Sequence, residues 1–328
     1  MNRYLRILIF LCTAIGARAQ YIPNSSQGFQ FASMYNPAFS GVDAYADIRL
    51  GYRYQWAGLE GAPKSINLSF NTRLRQPLDL TYNTPRNSNT TYLKIPRKKL
   101  IIHGFGANIF SSTVGQIQTT GGSLNYAVHL PLSNKLRLAL GTTALIGNTK
   151  VNLDGIVLHS PNDLYYNQLL VNGTTRTELN VRVGALLYSQ NFYVGFSYFP
   201  IWQTALQATD LALDKPFYKG SVQGGFSLNL SPVIQIKPSI IGLMQLDNRF
   251  AIDYTIKAFI QNKIWTGFSY RDIQSGAFLL GFNVNEVFAA AYSYEMSLGT
   301  FKQFNDGSHE LVLSLKLNNF KKSQPYTW

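Results

Sequence analysis

Between residues 46 and 56 the chain alternates strictly. Ala46, Ile48, Leu50, Tyr52, Tyr54 and Trp56 fall on one parity; Asp47, Arg49, Gly51, Arg53 and Gln55 fall on the other. A period of two places the two sets on opposite faces of a strand. The next stretch repeats the rhythm, with Ile66, Leu68, Phe70 and Leu74 against Ser65, Asn67, Ser69, Asn71, Arg73 and Arg75. Strands of a soluble sandwich run to about 5–6 residues. A tilted strand that crosses a membrane needs about 10. The length of the alternation therefore predicts an all-β fold, a transmembrane antiparallel barrel. Its apolar face meets lipid, with Tyr and Trp at the interface, and its polar face lines a wet lumen.

Fourteen such segments can be placed, at 46–56, 65–74, 100–110, 121–130, 136–146, 177–189, 192–199, 221–230, 233–246, 250–260, 264–271, 277–284, 287–296 and 310–317. An even count suits a single-chain bacterial barrel whose two ends share the periplasmic side. Parity then assigns the connections. Those after even-numbered strands, such as 190–191, 231–232 and 285–286, are short and read as periplasmic turns. Those after odd-numbered strands, such as 147–176, 200–220 and 297–309, are long and read as outer loops. The weakly alternating stretch 149–157 reads as the rising edge of an outer loop. Connection 76–99 breaks the pattern, being periplasmic by parity yet 24 residues long. It sets Arg86, Lys94, Arg97, Lys98 and Lys99 against Asp79. It is either a solvated linker or a basic docking site for a periplasmic or peptidoglycan-associated partner.

The N-terminus has a different character. Arg3 and Arg6 precede a ten-residue apolar run at 7–16, and Ala17-Arg18-Ala19 forms a small-x-small cleavage site. This is the pattern of a secretory signal peptide cut at Ala19-Gln20, and ten residues are too few to span a bilayer. The single cysteine, Cys12, leaves with it. The expected organisation is a signal peptide at 1–19, a periplasmic or plug segment at 20–42, a barrel at 43–320 and a tail at 321–328. Asn36-Pro37 turns the chain and Gly41 permits a positive φ before the first strand. Phe29, Phe31, Tyr35 and Phe39 prefer cover to water, so the segment is expected to plug the lumen.

Composition narrows the class. Charged residues make up 14% of the 328, against about 25% in ordinary soluble domains, and aromatics another 14%. So many aromatics exclude disorder. Outside the N-terminus no apolar run approaches the length of a membrane helix. The formal charge is +13, or +10 once Arg3, Arg6 and Arg18 are removed. Strand parity sends the arginines of the alternating segments into the lumen, so a nucleic-acid surface is not expected. The excess suits an outer leaflet rich in phosphate or an acidic partner.

Catalytic patterns are scarce. His103, His129, His159 and His309 have no second histidine at metal-ligand spacing, and no cofactor motif is present. His103 follows the lipid-facing parity as an interfacial residue. An outer-membrane lipase would need His129 beside a serine on the wall, with Ser123 or Asn125 as the available neighbours. Asp253 and Lys257, on one strand face, are expected to form a lumen ion pair.

Several stretches then carry a resemblance. They are Asn36-Pro37-Ala38-Phe39-Ser40-Gly41, the run 52–65 with Arg53, Gln55, Trp56, Gly58, Gly61, Ala62 and Pro63, and the runs 265–271 and 291–295. The last is Gly307-Ser308-His309-Glu310. In that order they resemble the PorP/SprF family of Bacteroidetes outer-membrane proteins, over about residues 28–317. The resemblance implies a non-catalytic barrel in or beside the type IX secretion and gliding apparatus. The implied partners are a large secreted adhesin with a C-terminal signal domain, type IX secretion components, outer-membrane lipid or lipopolysaccharide, and a peptidoglycan-associated lipoprotein. No cofactor is implied. An outer-membrane pore is the competing reading, and the aromatic N-terminal segment separates the two. First and last strands must pair to close a barrel, so the 52–65 motif and His309-Glu310 are expected to be neighbours, serving closure or partner contact.

Overall fold

In a computed structural model the described residues are 25–74, 101–133, 135–154, 164–207, 218–245, 250–261, 263–271 and 275–317. They form β1 (Ala46–Tyr54), β2 (Lys64–Arg73), β3 (Ile102–Val114), β4 (Ile117–Pro131), β5 (Arg137–Val151), β6 (Thr175–Tyr188), β7 (Phe192–Gln207) and β8 (Tyr218–Phe226). The ring continues through β9 (Leu228–Asn229), β10 (Ile234–Gln245), β11 (Phe250–Ile260), β12 (Ile264–Arg271), β13 (Ser275–Asn283), β14 (Phe288–Ser297) and β15 (Ser308–Leu317). β8 and β9 are interrupted only at Ser227, and both pair with β10, so they make one stave. Fourteen antiparallel staves result. β1 pairs with β15 and β10 with β11, so the sheet closes on itself.

Burial follows the two-residue rhythm. On β1, Asp47, Arg49, Gly51 and Arg53 are buried while Leu50 and Tyr52 are exposed. On β13, Ala277 and Leu279 point in and Phe278, Leu280 and Phe282 point out. At about 3.3 Å per residue and a tilt near 40°, a ten-residue stave rises about 25 Å, the height of the apolar band of an outer-membrane barrel. No helix among the described residues is long and apolar enough to cross a membrane.

Several boundaries differ from the sequence reading. β3 and β4 run on through residues 111–120, with only Gly115 and Gln116 between them. That stretch is rich in Ser and Thr and lacks an apolar face, so alternation did not mark it. β5 continues to Val151 and absorbs the start of the 149–157 stretch, while the long connection that follows holds a helix, Leu164–Asn172. β7 continues past Pro200 to Gln207, with its register against β6 shifting between Val181 and Val183. The signal peptide, the basic connection with Arg86, Lys94, Arg97, Lys98 and Lys99, His159 and the tail all lie outside the described residues.

The interior is not an open wet lumen. Residues 25–42 run inside the barrel and are buried, Met34 alone being half-buried. Phe29, Phe31 and Tyr35 pack against Phe199, Phe259, Trp265, Leu279 and Val312 of the wall. Phe39 and Val42 pack against Leu186, Tyr188 and Tyr193 on the other side. Parity assigned the inward faces correctly. Their polarity is mixed because they receive a segment bearing four aromatics, each worth about 1.5–3 kcal/mol when buried.

Candidate functional site

Two features meet where β1 joins β15. The first is a rim built from three connections. The run 55–63 folds back on itself: Gln55 N–H donates to Pro63 O (2.8 Å), Leu59 N–H to Trp56 O (3.2 Å) and Ala62 N–H to Leu59 O (3.2 Å). Gly58 and Gly61 hold φ of 88° and 68°, which their lack of a Cβ allows. The loop is tied to both neighbours. Trp56 N–H donates to Ser308 Oγ (3.1 Å), Ala57 N–H to Gly307 O (2.7 Å) and Gly115 N–H to Gly61 O (3.0 Å). Trp56 itself sits at φ 55°, an uncommon conformation for so bulky a residue. Its ring meets Phe301 edge-on at 5.0 Å. Phe301, Phe304 and Leu298 of the 298–307 connection remain exposed.

The second feature lies directly beneath, on the inward face. Arg53 stands opposite Glu310 across the β1–β15 seam. Its guanidinium meets Glu295 at 3.1 Å and Glu310 at 3.4 Å, all three side chains being buried. Ser26 donates its N–H to Glu310 (2.7 Å) and its hydroxyl to Glu295, and the Ser25 hydroxyl donates to Glu310. Arg53 also donates to Ser26 Oγ. Two carboxylates of the wall thus grip the start of the interior segment, and one arginine bridges them. Beside them Arg271 pairs bidentately with Asp253 at 2.6 and 2.7 Å.

From there the segment descends to the opposite end. Asn36 caps the turn Pro37–Phe39: its Oδ1 accepts from Ala38 N–H (3.0 Å), and its Nδ2 donates to Ala185 O (3.1 Å) and Phe196 O (3.3 Å). Gly41, at φ 81°, passes so close to β3 that an added Cβ would stand 2.5 Å from Gly104 Cα.

The structure brings Arg53, Gln55, Trp56, Gly58, Gly61, Ala62, Pro63, His309 and Glu310 together around the seam. Tyr54 stands opposite His309 in register, and the His309 ring accepts or donates at Tyr292 Oη (2.7 Å) on the outward face. Asn36, Pro37 and Gly41 lie apart from them, inside the barrel and toward its other end. Glu295, Ser25 and Ser26 were not singled out from sequence. The inward parity of Glu295 was legible; its partner depended on the register of three strands.

One sequence expectation is corrected, and the lipase alternative meets an unfavourable geometry. Asp253 pairs with Arg271, its cross-strand neighbour, not with Lys257, whose ammonium lies 3.5 Å over the Phe29 ring. Four residues along a strand span about 13 Å, too far for an ion pair. His129 is not beside a nucleophile. Its Nε2 donates to Ser40 O (2.8 Å), so its Nδ1 accepts from Tyr188 Oη (2.9 Å). Ser123 instead accepts from Asn108 (3.1 Å), and Asn125 donates to Ser33 O (3.1 Å). Among the described residues no three His, Cys, Asp or Glu side chains form a metal cluster.

A family model described as type IX secretion system membrane protein PorP/SprF matches residues 17–315. No curated protein matches the sequence. Among solved structures, the Pseudomonas putida toluene transporter TodX gives a TM-score of 0.47 at 10% identity, covering 92% of this chain and 96% of its own. The Acinetobacter baumannii outer membrane protein Omp33 gives 0.45 at 10% identity, covering 85% and 100%. The monoaromatic hydrocarbon channel CymD gives 0.45 at 14%, covering 92% and 94%. At these scores they speak to neither substrate nor activity.

Proposed function

Since the chain belongs to the PorP/SprF family of type IX secretion system membrane proteins, we propose that it works there as a non-catalytic outer-membrane barrel that holds proteins at its rim. The proteins held are large secreted chains, adhesins with a C-terminal signal domain among them, or components of the secretion apparatus itself. In this reading a signal peptide is removed at Ala19-Gln20, and the β1–β2 and β14–β15 connections face outward. The apolar outward face sits in outer-membrane lipid. The basic connection containing Arg86, Lys94, Arg97, Lys98 and Lys99 faces a peptidoglycan-associated lipoprotein in the periplasm.

One observation carries the proposal: residues 25–42 run through the barrel interior, packed against its wall. Fourteen staves alone leave room for a channel. A barrel occupied by its own packed segment is suited to binding at its rim rather than to passage through its centre. Trp56, Phe301 and Phe304 supply aromatic contact area there, of the kind that anchors interfaces. The filled interior likewise disfavours the pore reading. The engagement of both His129 ring nitrogens by Ser40 and Tyr188 disfavours the lipase.

Affinity capture of the full chain from native membranes tests this. The expected result is co-isolation of a large secreted protein with a C-terminal signal domain, or of type IX components. A Trp56→Ala/Phe301→Ala variant that still folds should lose that capture at least tenfold. Undiminished capture by the variant would remove the rim from the account. Absence of any type IX protein from the wild-type eluate would overturn the proposal.

A further inference from the structure

Along the interior segment the wall takes hold of main chain as well as side chains. Arg271 donates to Ser25 O (3.0 Å), Arg49 to Gln30 O and Arg182 to Met34 O (3.3 Å). Asn125 donates to Ser33 O (3.1 Å), Ser197 to Tyr35 O (2.7 Å) and His129 to Ser40 O (2.8 Å). These donors come from strands all around the ring, and they end on carbonyl oxygens that every peptide carries. Residues 25–42 contain no ionisable acid or base other than the Tyr35 phenol, although the wall is rich in cations. Charged wall groups also read side chains: Glu310 and Glu295 take the Ser25 and Ser26 hydroxyls, and Lys257 lies 3.5 Å over the Phe29 ring.

The wall is also cleared along this path. A Cβ at Gly141 would stand 2.5 Å from Ala38 N, and one at Gly184 would strike the Asn36 amide. Glycine in a strand interior weakens the strand and often marks the close approach of another backbone. Here two different strands carry it where the segment turns at Asn36-Pro37-Ala38. Carbonyl-directed donors, a bare floor and one cation over one aromatic ring together describe a receptor for a peptide. They go beyond what a covalent filler would need.

We infer that the barrel interior is a peptide-binding channel for an uncharged, aromatic-bearing segment. Residues 25–42 occupy it as an intramolecular ligand that a free peptide of the same chemistry can replace. A short tether holds such a ligand at millimolar effective concentration, so exchange requires that the tether be cut or the segment be drawn out. The inference concerns the interior and stands whichever protein meets the rim.

The test uses the full chain with a protease site inserted between Asp43 and Ala44, folded in detergent and then cut. Fluorescein-labelled synthetic peptide 25–42 is added in excess, and binding is read by anisotropy. One labelled peptide per barrel should be taken up, with release of the original segment. A Phe29→Ala peptide should compete at least tenfold less well, and a Phe29→Arg peptide, which sets a second cation against Lys257, should not compete. A peptide with Ser25→Ala and Ser26→Ala, which leaves Glu310 and Glu295 without their hydroxyl donors, should also compete less well. Retention of the original segment with no exchange, or equal uptake of the Phe29→Arg peptide, overturns the inference. If the cut chain unfolds, a chain lacking 20–42 is refolded with and without free peptide 25–42. Rescue of the folded, heat-modifiable band by the peptide supports the inference, and failure to rescue overturns it.

Discussion

At the scale of single residues, Arg53 is the group on which the most depends. It touches Glu295, Glu310 and Ser26, and so joins β1, β14, β15 and the interior segment at one point. Removing one member of a buried ion pair costs about 3–5 kcal/mol, because the partner charges stay buried without compensation. Arg53→Ala is therefore expected to lower the unfolding free energy of the barrel by that amount, seen as a lower urea midpoint, and to expose residues 25–30 to protease. Arg53→Lys, which keeps the charge but loses the fork, should fall between. An unchanged midpoint and an uncut segment for Arg53→Ala would show that the cluster does not hold the segment. Parity alone was enough to turn Arg53 inward. It could not supply Glu295, two strands away, because that contact depends on the β14–β15 register, and register is invisible in one strand's own sequence. The misassigned Asp253–Lys257 pair fails for the same reason, since the neighbour that counts lies across the ladder at Arg271.

At the scale of elements, what the sequence revealed depended on lipid. β11 and β12 occupy the residues the alternation marked, because both carry an apolar outward face along their whole length. β3 and β4 outrun it where they pass beyond the apolar band into residues such as Ser111, Thr113 and Thr119. There the ladder hydrogen bonds continue without a hydrophobic signature. The seam between β1 and β15 is the element-scale claim most open to a direct check. Tyr52 stands opposite Leu311, and both side chains point outward. Opposed residues of an antiparallel pair have Cα atoms about 4.5–5.5 Å apart, within reach of a disulfide. A Tyr52→Cys/Leu311→Cys variant is expected to cross-link under mild oxidation and to migrate faster than its reduced form in denaturing gels. Tyr52→Cys with Leu313→Cys, one pleat out of register, should cross-link far less. Equal cross-linking of the two variants would contradict this register.

At the scale of the whole molecule, a sheet with fourteen staves, a mostly apolar outside and a filled inside accounts for the composition: few charges, many aromatics, and cations turned inward. The interior segment was legible as aromatic and in need of cover. Its path was not, because the carbonyls and glycines that guide it leave no pattern in the sequence of the segment itself. The central claim is that residues 25–42 close the barrel. It is tested most directly by single-channel recording of the chain from residue 20 onward in planar bilayers. The full chain is expected to insert without steady conductance, and the form lacking residues 20–41 to open a lasting current. A steady current through the full chain, of the size an unobstructed fourteen-stranded barrel passes, would contradict it.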